Sequence, residues 1–345
     1  MADAISFSES ELSKRVRLAD VVPLEKPFTI QFDVSSVCNL KCEFCPIHGS
    51  AQKMVVKKQT RFFDFEQFTK CIDDIKDSFG CVKQILFTGS GEPLLNPRIV
   101  DMIKYISDSK TAERITVITN GLLLTNELSD KLIDSGLSLL RVSVNGLSSQ
   151  DYKHYTGTDM DFEKYVDRLR YFYEHKNSTQ VYIKIMNYMV DSDEQKKQFY
   201  DTFSSICDII NVENVYDMGG NGKFDNIDKS QLNQAIFSDI QSEPLICSIQ
   251  FYTFYINSEL DIYPCCEGML KNCIYKPLEN LKNSGIKSIW NKTMRDFQYK
   301  MIDGKPKFEY CKQCTFSLAL SKREDLLDDD SEEIKERYDK LLMKG

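Results

Sequence analysis

No run in the chain approaches 18 consecutive apolar residues, which excludes a hydrophobic membrane-spanning helix. The first residues, Met-Ala-Asp-Ala-Ile-Ser-Phe, lack the basic-then-apolar order of an export signal. Basic residues are not in excess: 44 Lys and Arg stand against 52 Asp and Glu, a net charge of -8. That balance argues against a general nucleic-acid binder, which needs a basic face. Histidine is scarce, three in 345 residues, and only His48 lies near a group of cysteines. What is plentiful is cysteine, with twelve. Without an export signal, so many thiols predict a reducing cytoplasm and metal ligation in place of disulfides. At 42% hydrophobic residues, the chain can bury one large core, or a core with a satellite domain.

The chemistry is concentrated in Asp33-Val-Ser-Ser-Val-Cys38-Asn-Leu-Lys-Cys42-Glu-Phe-Cys45-Pro46. Cys38, Cys42 and Cys45 stand in C-x3-C-x2-C spacing, directly after an apolar strand candidate, Phe28 to Val34. Three thiolates on so short a loop can hold three irons of a cubic [4Fe–4S] cluster. The fourth iron is then open to a ligand. Phe44 is placed to lie against a flat ring. The competing reading is a zinc knot, which needs a fourth ligand such as His48.

From Phe28 to about Gly220 strand and helix patterns alternate. Strands are predicted at Thr29–Val34, Gln84–Thr88, Ile115–Thr119, Leu139–Val144, Val181–Met189 and Ile209–Tyr216. Helices are predicted at Phe65–Ser78, Arg98–Ser109, Asn126–Ser135, Phe162–His175 and Glu194–Ser205, with one more over Glu9–Val21 before Pro23. Such alternation predicts a parallel sheet with covering helices, either a barrel or a doubly wound open sheet. Ligands of these folds sit at the carboxyl ends of the strands. There the sequence places Gly89-Ser90-Gly91-Glu92-Pro93, Thr119-Asn120-Gly121 and Ser143-Val144-Asn145-Gly146. Lys184, inside the apolar run Val181–Asn187, either faces the interior and pairs with an anion or snorkels to the outer surface.

A second set of cysteines follows a polar link. Cys247, Cys265, Cys311 and Cys314 stand in C-x17-C-x45-C-x2-C order, with Cys266 and Cys273 left over and Cys266 a rival to Cys265. Ile249–Asn257 and Leu260–Tyr263 predict a β-hairpin inside this set. Four thiolates can ligate a [4Fe–4S] cluster completely, or a zinc ion. Cys71, Cys81 and Cys207 are expected in the core. The acidic stretch Glu324–Glu336 is expected to be a solvated face leading into a last helix. Lys53, Lys57, Lys58 and Arg61, after the first cysteine loop, are expected to be solvated, with a phosphorylated or nucleotide-linked substrate as the alternative contact.

The first cysteine loop resembles the signature of the radical S-adenosylmethionine (SAM) enzymes. The second set resembles their SPASM auxiliary-cluster domain, in its shortened one-cluster twitch form. In that domain a glycine normally lies five residues before the second cysteine, where this chain has Leu260. The resemblance implies a partial (β/α)6 TIM-type barrel over 28–222, after an extension at 1–27. A link at 223–243 and an auxiliary-cluster domain with a β-hairpin at 244–320 would follow, then an acidic helix at 321–345.

It also implies SAM and two [4Fe–4S] clusters as cofactors. Gly91 and Glu92 would meet the methionine ammonium, in a Gly-Gly-Glu-Pro motif whose first glycine is Ser90 here. Asn120 and Ser143 would hold ribose hydroxyls or the methionine carboxylate, and Lys184 that carboxylate. The implied activity is reductive cleavage of SAM to a 5′-deoxyadenosyl radical and abstraction of a substrate hydrogen. The cysteine layout resembles that of the twitch-domain cyclitol dehydrogenases, hence oxidation of a sugar, cyclitol or nucleotide-linked small molecule. Epimerisation, with Cys266 or Cys273 as hydrogen donor, and ribosomal-peptide maturation are alternatives, with a non-catalytic metal-binding scaffold after them. A reducing partner such as flavodoxin or ferredoxin is implied; a nucleic-acid or membrane partner is not.

Overall fold

The structure is a computed structural model that describes residues 4–45, 47–48, 61–216, 235–236, 243–265, 276–304, 311, 314 and 316–343. Six parallel strands lead: β1 (Thr29–Phe32), β2 (Val82–Phe87), β3 (Ala112–Thr119), β4 (Leu139–Val144), β5 (Gln180–Met186) and β6 (Ile209–Glu213). They lie side by side in chain order. Between them run α1 (Phe65–Phe79), α2 (Ile99–Ser109), α3 (Asn126–Ile133), α4 (Ser149–Thr156), α5 (Phe162–His175) and α6 (Asp193–Phe203). This is the expected barrel-type sheet.

Helix α1 shows how the sequence makes each unit. Asp64 caps its first turn by accepting from the Gln67 amide at 3.0 Å. Phe68, Cys71, Ile72, Ile75 and Phe79 recur at helical spacing and are buried, and Gly80 ends the helix at φ 69°. The stripe packs on the outer face of the sheet, where Ile30, Phe32, Ile85 and Phe87 are fully buried. Phe68 sits with ring centroids 5.0 Å from Phe32 and 5.8 Å from Phe87. Truncating it to alanine would cost about 3–5 kcal/mol.

The inner face of the same sheet carries polar residues among apolar ones. Gln31 stands level with Leu86 and Thr116 on neighbouring strands, and Arg141 stands level with Tyr182. The amino-terminal end of the barrel is stoppered on the β4–β6 side, where Phe7 stacks on Tyr182 at 5.8 Å in a cluster with Leu139 and Ile209. The helix expected over Glu9–Val21 is not formed. Instead the chain makes two 3-10 turns, Phe7–Glu9 and Glu11–Ser13, and one helical turn, Leu18–Val21. Ser10 turns its hydroxyl back to the Phe7 carbonyl at 2.7 Å, competing with helix continuation while Phe7 docks into the barrel.

The expected hairpin is present as β7 (Thr253–Ile256) and β8 (Asp261–Tyr263), and β9 (Glu279–Asn280) follows. Its placement was not foreseen. β7 pairs in parallel with β1, Thr29 opposite Thr253 and Phe32 opposite Ile256, so the hairpin prolongs the barrel sheet to nine strands. In the hairpin turn Leu260 adopts φ 67°, a conformation that favours glycine. Asn257 steadies the turn, its side-chain oxygen accepting from the Glu259 and Asp261 amides at 3.0 and 2.9 Å.

The acidic stretch before the last helix, Ser331–Leu342, is only partly solvated. Asp325 is 3% exposed and pairs with Arg15 at 3.2 Å. Asp328 accepts from the Leu245 and Ile246 amides at 2.9 and 2.8 Å. These carboxylates turn inward because cations and unpaired amides face them.

Candidate active site

The first cysteine loop leaves the carboxyl end of β1 and is braced by its neighbours. The Lys41 and Glu43 amides donate to the carbonyls of Thr156 and Tyr155, at the end of α4, at 3.0 and 2.9 Å. On the other side the loop backbone presses on Gly91, where a Cβ would lie 2.2 Å from the Val37 oxygen and 2.4 Å from the Ser35 oxygen. Glycine is therefore required at 91 by close approach to the loop, and the Glu92 amide donates to Val37 at 2.9 Å.

Backbone amides point at two of the sulfurs, Leu40 at Cys38 Sγ (3.5 Å) and His48 at Cys45 Sγ (3.3 Å). Burial pushes the Cys38 thiol up to about 11, and the charges of Glu92 and Cys45 push in the same direction. Cys42, more deeply buried, is raised further by burial and by Cys45 and Cys38. Three thiols on one short loop, with backbone amides aimed at two of them, suit an iron–sulfur group that binds them as thiolates. His48 is not arranged as a zinc ligand. Its Nε2 hydrogen-bonds the Ser90 carbonyl at 2.8 Å.

Of the other expected residues, Gly91, Glu92 and Asn120 meet this loop. Glu92 is 3% exposed, and its carboxylate accepts from the Leu94 amide, the Thr119 hydroxyl and the Asn120 amide at 3.0, 2.7 and 2.8 Å. Burial raises its pKa, against those hydrogen bonds. Asn120 donates through Nδ2 to Asn39 of the cysteine loop at 2.8 Å. Phe44 packs edge-on against Tyr188 at 5.8 Å, and Tyr188 against Tyr155 at 5.4 Å. Ser143 and Lys184 stand level on β4 and β5.

Lys184 faces the interior and does not snorkel outward: its Nζ lies 3.6 Å from Glu213 Oε2. Burial lowers its pKa, and Glu213 opposes that. Glu213 also accepts from Arg141 and from the Tyr182 hydroxyl, the latter at 2.6 Å. Burial raises the Glu213 carboxyl, but Arg141 and Lys184 outweigh it and hold the group low.

Arg141, Glu213, Asp33 and Ser90 were missed as site residues. A lone acid in the apolar run Ile209–Glu213 was the available signal for Glu213.

The second set comes together from three stretches of chain. Cys247, Cys265, Cys311 and Cys314 line one cavity, whose remaining walls are Ile249, Gln250, Pro264, Phe297, Phe316 and Ser317. Four soft donors around one largely apolar space suit a fully ligated cluster. A buried chain braces it: Tyr338 donates to Gln298 (2.7 Å), and Gln298 donates to the Gln250 carbonyl (2.7 Å). The Gln250 side chain in turn reaches the Cys247 carbonyl. Cys266, Cys273, Lys53, Lys57 and Lys58 lie outside the described residues. Cys71 and Cys207 are core residues, while Cys81 is partly exposed.

The parallel barrel carries a three-cysteine loop at the carboxyl end of its first strand, and four further cysteines line one cavity, the pattern of an iron–sulfur enzyme with an auxiliary centre. A family model described as the radical SAM superfamily matches residues 33–203, and the SPASM iron–sulfur cluster-binding domain matches residues 247–315. The chain belongs to the radical SAM superfamily and carries a SPASM domain, so its cofactors are SAM and two [4Fe–4S] clusters.

It is 32% identical over 118 residues to the tungsten-containing aldehyde ferredoxin oxidoreductase cofactor-modifying protein of Pyrococcus furiosus. That match spans only about a third of each chain, 34% of this one and 31% of the relative. The fold is shared with BtrN in complex with AdoMet and 2-DOIA, at TM-score 0.54 and 17% identity over 83% of this chain and 92% of that one. It is also shared with Streptococcus suis SuiB bound to precursor peptide SuiA, at TM-score 0.61 and 18% identity over 87% and 72%. Among the described residues no helix is long and apolar enough to cross a membrane.

Proposed function

We propose that this radical SAM enzyme oxidises a carbohydrate- or cyclitol-like small molecule. The observation that carries the reading is the cavity shared by Cys247, Cys265, Cys311 and Cys314. Four protein thiolates leave no iron open to substrate, which suits electron transfer. When bound, SAM and its cluster supply hydrogen abstraction, and the second cluster supplies an electron acceptor.

The chain's own residues bind and orient. Cys38, Cys42 and Cys45 would hold the first cluster, and Phe44 would offer its ring to the bound adenine. Gly91 and Glu92 receive the methionine ammonium, Lys184 its carboxylate, and Asn120 and Ser143 the ribose. Glu213 keeps Lys184 directed into the barrel, and Arg141 and Tyr182 keep Glu213 in place. The charged cluster of Arg141, Lys184 and Glu213 inside the barrel offers hydrogen bonds to a hydroxyl-rich substrate. The fold likeness to BtrN, which is bound to 2-DOIA, supports the same reading.

The test is anaerobic incubation of the reconstituted enzyme with reductant, SAM and a panel of sugars, cyclitols and sugar nucleotides. Substrate-dependent 5′-deoxyadenosine with a product two hydrogens lighter is expected. A product of unchanged mass would replace oxidation by epimerisation, and turnover only with peptides would replace it by maturation.

A further inference from the structure

Asp33 stands at the carboxyl end of β1, 2% exposed, five positions before the first cysteine. Its carboxylate accepts the Ser90 hydroxyl. Ser90 is itself 3% exposed, and its carbonyl is held by His48 Nε2 at 2.8 Å. From the opposite side the Tyr255 hydroxyl faces the same carboxylate across Gly89. Tyr255 and Asp33 converge over Gly89, which adopts φ 147°. A Cβ there would lie 2.3 Å from the Tyr255 hydroxyl oxygen and 2.4 Å from Asp33 Oδ1. The backbone of Gly89–Ser90–Gly91 is therefore gripped at every residue: at 89 by lack of space, at 90 by two hydrogen bonds, at 91 by the cysteine loop.

The three partners come from different parts of the molecule. Asp33 is the first residue of the radical SAM match, and Tyr255 lies on β7 within the SPASM match. A buried carboxylate is expensive unless hydrogen-bonded, and burial raises Asp33 to about 6 against the bonds from Ser90 and Tyr255. An isosteric apolar residue would serve packing alone. What the carboxylate adds is an acceptor that holds the Ser90 hydroxyl and lies against the Tyr255 hydroxyl from a separate segment.

We propose that Asp33 is a positioning residue through which the auxiliary domain, by way of Tyr255, fixes the Gly89–Ser90–Gly91 backbone for SAM. The inference rests on the assignment of this loop and Glu92 to the methionine ammonium. It implies that SAM affinity depends on a hydroxyl in the auxiliary-cluster domain that touches neither SAM nor a cluster. A glycine at 90 would not carry this link.

The experiment measures SAM dissociation constants by anaerobic titration of enzyme with both clusters loaded, with iron content and melting temperature recorded alongside. The variants are Tyr255→Phe, Ser90→Ala, their double, Asp33→Asn and Glu92→Gln. Tyr255→Phe and Ser90→Ala are each expected to weaken SAM binding by roughly tenfold, about the effect of one hydrogen bond to a charged group. The double variant should be no weaker than the weaker single variant, because both break one relay. Asp33→Asn should match the double; if it fails to fold, the hydroxyl pair carries the test. A packing role alone would lower the melting temperature and leave SAM affinity in place. Multiplicative losses in the double variant, or wild-type affinity in Tyr255→Phe while Glu92→Gln binds weakly, would overturn the relay. Wild-type affinity in both Tyr255→Phe and Glu92→Gln would overturn the loop assignment and the relay with it.

Discussion

The two cysteine sites are built in opposite ways. Cys38, Cys42 and Cys45 fall within eight residues of one loop, and that loop is clamped by α4, by Gly91 and by Asn120. Its shape is held by protein contacts on three sides. Cys247, Cys265, Cys311 and Cys314 come from three separated stretches, and what they share is the cavity they line. There a metal group would act as the staple that closes long loops, as structural metal sites do. In the proposed function the first site cleaves SAM and needs preorganisation, whereas the second passes electrons and tolerates being assembled by its own cofactor. The first should therefore be separable from folding, and the second should not.

The sharpest break removes Cys38, Cys42 and Cys45 together by alanine substitution. 5′-Deoxyadenosine formation should vanish, about four irons per chain should remain, the content of one cubic cluster, and the melting temperature should hardly change. Persistent SAM cleavage would remove the assignment. Next, Cys311→Ala with Cys314→Ala should also leave about four irons. This pair should still make 5′-deoxyadenosine but lose the oxidised product, and its melting temperature should fall by roughly 5–10 °C, the equivalent of a few kcal/mol in a domain of this size. Equal melting temperatures for the two variants would erase the contrast between the sites. Glu92→Gln should weaken SAM binding by about ten- to a hundredfold, one charged hydrogen bond, without changing iron content; an unaltered titration would take Glu92 out of the site. The smallest effect is expected at the hairpin. Leu260 sits at φ 67°, and Leu260→Gly should relieve strain worth about 1 kcal/mol. A urea midpoint that falls instead would mean that the Leu260 side chain's packing outweighs its backbone strain.

Much of this was legible because the signals are local. Cysteine spacing is a one-dimensional pattern, and the strands followed from apolar runs to within a few residues. The prediction for β5 ran on to Met189, whereas Asn187–Met189 form a 3-10 turn. Helix α4 was missed because it buries only Tyr152 and Thr156, too few for a helical stripe; its caps, Ser148 and Gly157, were the signal that remained. Lys184 could not be oriented from the sequence, since its partner Glu213 depends on the pairing between β5 and β6. The Asp33–Ser90–Tyr255 contact is beyond sequence reading for the same reason: it exists only once β7 lies beside β1. Leu260 stands where the resembling domain has glycine, and it adopts a positive φ that glycine favours.

The pairing of β1 with β7 also sets a schedule. Thr29 waits for Thr253, and at roughly 5–20 residues per second a ribosome needs on the order of ten seconds or more to make the chain between them. During that interval one edge of β1 has no neighbour, a template for any passing strand. The nascent barrel therefore spends its early life with an open seam. Whatever shields that seam, whether a chaperone or the growing chain itself, bears on the yield of soluble enzyme before iron is delivered.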